Sequence, residues 1–216
     1  MSEKVVIFNG TESSQPKSVE RADFYSHRYT LYNDYYIYLI DLFLITSTWQ
    51  ILLQKRARNK KNSPWQLHTS VWWHVNDNEA PAFTLLHESI EELWVPCYLV
   101  PDWQNYASAL KKLWTYTNRI ALVKHHKDYY RTLEQYTDPA WRSIDAKDRV
   151  YLCFGIYDWP IQCLDHSSDW FEYFDITTLK QELKKHPLLF TTTLHNFLDE
   201  LWDEIQTFID EYCVST

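Results

Sequence analysis

Glycine is almost missing from this chain. A protein of 216 residues ordinarily carries about 7% glycine, roughly 15 residues, and this one has two, Gly10 and Gly155. Tight turns, helix ends and close backbone approaches call for a residue without a Cβ. A conventionally punctuated fold is therefore excluded unless another residue stands in. Tryptophan, normally among the scarcest residues, occurs eleven times. Several tryptophans occupy turn-like places: Thr48-Trp49-Gln50, Ser63-Pro64-Trp65, Pro101-Asp102-Trp103 and Ser168-Asp169-Trp170. Glycines and tryptophans together come close to the glycine count expected. The sequence reads as one in which UGA codons meant as glycine, as in some reassigned genetic codes, are written as tryptophan. Trp202, on an apolar helix face, is a candidate for an authentic one.

Other absences narrow the class. The four cysteines, Cys97, Cys153, Cys163 and Cys213, are far apart with no C-x-x-C pair, which excludes a zinc knuckle or a disulfide framework and leaves small core residues. No apolar run is long enough to cross a bilayer: the longest, Tyr36 to Thr46, contains Asp41. The opening Met1-Ser2-Glu3-Lys4-Val5-Val6-Ile7-Phe8 is too short and too acidic for a secretory signal. A soluble cytoplasmic protein without a membrane partner is expected. A basic surplus is missing too, since the net charge is −8 and the pI about 5.5. Nucleic-acid polymers need a clustered basic surface, so the expected partner is a small molecule.

The length suits one sizeable domain. Residues 1–35 show no clear period and read as an N-terminal extension. Tyr36 to Thr46 and Gln50 to Arg56 form a strand pair across a turn. A basic loop from Lys55 to Asn62, the segment Leu67 to Val75 and a helix through Ala82 to Leu93 follow. Further helices are expected near Gln104–Leu113 and His126–Glu134, then a strand Arg149–Tyr157 and a helix Thr178–His186. Leu194, Phe197, Leu198, Leu201, Ile205, Phe208 and Ile209 lie on one face of a last helix. The expected layout is a domain over 36–190 and an amphipathic helix over 191–216 that packs on it or supplies a homodimer contact. Strands alternating with helices indicate an α/β/α sandwich around a mixed sheet.

Glu88, Glu91 and Glu92 stand at i, i+3 and i+4, so they share one helix face. Like charges so placed repel, and a hard divalent cation among the oxygens relieves the repulsion. Mg²⁺ takes a few carboxylates plus water and substrate phosphate. Upstream lie Trp73-His74-Val75-Asn76-Asp77-Asn78-Glu79, then seven residues, then His87-Glu88-Ser89-Ile90-Glu91-Glu92-Leu93-Trp94-Val95. This resembles the Nudix box, G-x5-E-x7-R-E-U-x-E-E-x-G-U, where U is aliphatic. Glu79, Glu88, Glu91 and Glu92 all match in register, and the two box glycines fall on Trp73 and Trp94. His87 replaces the box arginine, and Ser89 takes an aliphatic position.

The resemblance implies hydrolysis of a diphosphate linkage in a small metabolite, with Mg²⁺, or Mn²⁺ in its place. It implies Glu88 and Glu92 as main metal ligands, Glu91 assisting with metal or water, and a metal contact from the backbone carbonyl of Trp72. Glu79 is expected to hold the loop. Lys55 and Arg56 are candidates to attract the substrate phosphates. A late acid, Asp165, Asp169 or Glu172, is a candidate further ligand or base. Leu52-Leu53-Gln54-Lys55-Arg56, Ser63-Pro64-Trp65 and Thr69-Ser70-Val71-Trp72-Trp73-His74 look like the branch related to isopentenyl-diphosphate isomerase, in which His74 matches a metal-binding histidine. The isomerase cysteine would fall at position 72, which is Trp, so hydrolysis is favoured. An isomerase-like enzyme and a catalytically silent binding protein of the same fold are the alternatives.

Overall fold

The computed structural model describes residues 3–10, 15–28, 30–60, 63–101, 103–137, 143–158, 161–162 and 168–212. The run from Tyr36 to Thr46 forms the central strand β3 (Tyr35–Ile45), flanked by β1 (Lys4–Asn9), β2 (Lys17–Glu20) and the short helix α1 (Arg21–His27) on its N-terminal side. β4 (Gln50–Arg56), β5 (Leu67–His68), β6 (Val71–His74), α2 (Pro81–Leu93), β7 (Cys97–Val100) and α3 (Tyr106–Leu113) follow. The chain ends with β8 (Ala121–Thr137), β9 (Ser143–Ile156), β10 (Ser168–Asp175), α4 (Ile176–Lys185) and α5 (Thr192–Tyr212).

Among the described residues these strands make one mixed sheet in the order β10-β4-β3-β9-β8-β7, with β1 and β6 also pairing with β3, and β5 with β4. β3 runs parallel to β9 and β7 parallel to β8, while the other pairings are antiparallel. The N-terminal residues are thus part of the sheet: Ile7, Phe8 and Asn9 pair with Ile37, Tyr36 and Tyr35.

Alternation along β3 sorts its side chains between two layers. Ile40, Leu42 and Leu44 face α2 and pack with Leu85, Leu93 and Val123. Phe43 and Ile45 face the other way onto α5, meeting Phe197, Leu201, Ile205 and Phe208. Ile37 and Leu39, on that same second face, are covered by Val5, Ile7 and Phe24 of the N-terminal segment. The result is the expected α/β/α arrangement with a C-terminal helix.

One expectation is corrected. His126–Glu134, read as helical, lies within the strand β8. Its charged residues are tolerated there because β9 supplies partners: Arg131 lies opposite Asp148 and bonds it at 3.1 Å, and Arg149 bonds Asp128 at 2.9 Å. Pairing across a long hairpin overrides the local pattern.

β3 and β4 pair only at Ile45 and Ile51 before they part. β5 and β6 fill the gap, and Ser70 between them bridges it: its hydroxyl accepts from the Leu44 amide at 2.8 Å and donates to the Leu52 carbonyl at 2.7 Å. This seam leads straight into the strand and loop that precede α2.

Candidate active site

Pro81 opens α2 at its first turn, where the missing N–H costs nothing. The buried residues Thr84, Leu85, Glu88, Ser89, Glu92 and Leu93 form two adjacent rows along the helix. Leu85 and Leu93 anchor one row in the core, and the other, Thr84-Glu88-Glu92, carries two carboxylates into the protein at 4% and 3% exposure. Ser89 fills its aliphatic position because its hydroxyl donates to the Leu85 carbonyl one turn back at 2.6 Å. Glu91 remains exposed at the edge of the same face.

His87 lies beside this group, with Nε2 at 3.1 Å from Glu91 and Nδ1 at 3.9 Å from Glu88. Ligand atoms of His87, Glu88 and Glu91 all fall within 4.8 Å of one another. The histidine thus spans two of the box carboxylates. The helix packs against β6, β7 and β3, which places the row of glutamates over the strand that carries Trp72 and Trp73.

Glu79 bonds both the loop and the helix. Its carboxylate accepts from the Thr84 hydroxyl at 3.0 Å and the Asn76 amide at 3.2 Å, tying the loop to the first turns of α2. The neighbouring turn is fastened to β1 by Asp77 N–H donating to the Lys4 carbonyl at 3.3 Å.

The other sequence candidates divide. Lys55 and Arg56 point to opposite faces, since Leu53 before Lys55 faces α5 and Leu52 faces α2. Arg56 therefore shares the face of the glutamates. Lys55 is buried on the far side, its ammonium 5.8 Å from the Trp65 ring and 5.7 Å from that of Trp170, and is not brought to them. Trp72 is on β6 opposite Asp41 of β3. His74 follows Trp72 onto the face away from α2, where it pairs with the Tyr25 hydroxyl. Burial pushes its pKa well below the usual histidine range, with Arg21 and Arg28 adding to the effect, so the ring is neutral. Among the late acids, Asp169 is exposed at a bulge of β10. Glu172 accepts from the Trp170 indole at 2.9 Å on the α5 face, and Asp165 lies outside the described residues.

One polar group went unread in the sequence. Asp41, fully buried in β3, accepts from the Thr69 hydroxyl at 2.6 Å and from Arg131 at 3.4 Å. Arg131 and Arg28 both bond Asp148. Burial pushes the Asp41 pKa up to about 6, against the pull of Arg131 and Thr69. The signal was the single acid inside an otherwise apolar strand run.

No family model and no curated protein matches the chain. Solved structures do. DR0079 from Deinococcus radiodurans matches with a TM-score of 0.53 at 16% identity, over 85% of this chain and 90% of that one. The NUDIX domain of Shewanella oneidensis NrtR, crystallised with ADP ribose, gives 0.49 at 9% identity over 87% and 99%. A NUDIX family hydrolase from Clostridium perfringens gives 0.40 at 14% identity over 67% and 84%. Likeness at such identities concerns architecture alone. With its mixed sheet between helical layers, the chain shares its architecture with DR0079, and all four box glutamates stand in register on the loop and α2.

Proposed function

We propose that the chain is a Mg²⁺-dependent hydrolase, with Mn²⁺ able to substitute, that cuts a diphosphate linkage in a small metabolite of the nucleoside diphosphate-X type. The observation that carries this reading is the pair of carboxylates, Glu88 and Glu92, turned inward one helical turn apart beneath a loop that Glu79 locks. Burying like charges side by side is costly, and hard oxygen donors at this spacing fit a divalent cation. Glu88 and Glu92 would hold it, with the Trp72 carbonyl as the backbone contact that the box resemblance implies. The metal would supply Lewis acidity toward phosphoryl oxygens and lower the pKa of a bound water.

Glu91, exposed and paired with His87, is placed to orient that water or to share a metal. Arg56, on the glutamate face, would attract phosphate oxygens. Glu79 takes no proton, because its carboxylate is spent on the loop. An isomerase-like reaction is less well supported, because position 72 offers no thiol.

The test is formation of monophosphate products, resolved by chromatography, from a panel of nucleoside, dinucleotide, sugar and prenyl diphosphates with and without Mg²⁺. Activity should appear with metal and fall by roughly 10³-fold or more in Glu92→Gln. Metal-independent turnover, or turnover unaffected by Glu92→Gln, would sink the reading. A folded protein that binds without turning over any of the panel would favour the silent binding module.

A further inference from the structure

We infer that the natural polypeptide carries glycine at positions 49, 65 and 94, written here as tryptophan. Among the described residues six adopt a left-handed backbone: Gly10 (φ 72°), Asn78 (63°), Ser63 (46°), Trp49 (68°), Trp65 (63°) and Trp94 (56°). Gly and Asn visit this region readily, whereas a bulky side chain sets its Cβ against the following carbonyl. Half of these positions being tryptophan is not what free choice of sequence produces.

Each of the three tryptophans takes the place where its motif asks for glycine. Trp49 closes the turn between β3 and β4, donating to the Thr46 carbonyl at 2.9 Å, and occupies the left-handed position after such a turn. Trp65 follows Pro64, the second central residue of a Pro-Gly type turn, and donates to the Arg56 carbonyl at 3.1 Å. Trp94 ends α2 as a left-handed αL cap: its N–H bonds the Ile90 carbonyl and the Val95 N–H bonds that of Ser89, both at 3.0 Å. Trp49 and Trp94 are 46% and 61% exposed, so burial of the rings returns only part of the backbone strain.

Two other tryptophans fail the same test. Trp114 has φ −50°, Trp202 is within α5, and both pack against the core. They are assigned as authentic, so the written sequence mixes the two kinds.

Peptide mass mapping of the protein purified from its own source decides the assignment. Glycine masses at 49, 65 and 94 with tryptophan at 114 and 202 support it, and tryptophan at all five overturns it. In recombinant protein the combined Trp49→Gly, Trp65→Gly, Trp94→Gly variant should melt higher, by about 2–4 °C per site, whereas Trp202→Gly should melt lower. A lower midpoint for the triple variant counts against the inference.

Discussion

Asp41 shows how much one side chain changes the reading of a strand. In the sequence it only interrupts an apolar run, yet in the fold it joins Thr69, Arg131 and Asp148 in a buried polar group. Its pKa of about 6 lies above the ordinary 3.8, so the folded state holds a proton that the unfolded chain has already released in between. Stability from this group is therefore full below about pH 4 and declines as pH rises through about 6. Asp41→Asn should flatten that part of the stability profile in urea titrations from pH 4 to 7, whatever its effect on absolute stability. A variant whose slope matches the parent would show that Asp41 is not the group responsible. Glu79 makes a second prediction at this scale. On the proposed reading it braces the loop and transfers no proton, so Glu79→Gln should lower turnover by about tenfold while leaving the shape of the pH–rate profile unchanged. A lost limb in that profile would make it a proton carrier instead.

The elements were legible where chemistry or periodicity was local. Glutamate spacing, Pro81 and the rows of Leu85 and Leu93 define α2, and the apolar stripe from Leu194 to Ile209 defines α5. β8 was not legible, because the partners that make its Arg131 and Asp128 acceptable in a strand sit on β9. The opposite directions of Lys55 and Arg56 depend on which face of β4 meets α2, and the inward turn of His74 on a helix near the N-terminus, neither of which is written locally. α5 carries a large share of one core layer, with Leu201 in the same buried cluster as Phe43 and the β9 residues Val150, Leu152 and Phe154. Leu201→Ala should cost about 2–5 kcal/mol in chemical denaturation. A loss well under 1 kcal/mol would mean that the helix packs loosely on the sheet.

Across the whole molecule, a single sheet connects the N-terminal strands, the loop of Glu79 and the late strand β10. Its weakest line runs where β3 and β4 separate and the Ser70 hydroxyl replaces a missing rung of the ladder. One oxygen thus fastens two strands, three residues ahead of Trp73 and the entry to the glutamate loop. The Leu44 amide then works as a clock for that loop: it can exchange its hydrogen for deuterium only when Ser70 lets go. Ser70→Ala would leave that amide with no lock, and its exchange would speed up while that of Ile45's neighbours stayed slow. If metal binding steadies the loop, Mg²⁺ should slow the same clock in the parent protein, so a single amide would register occupancy from the opposite side of the seam.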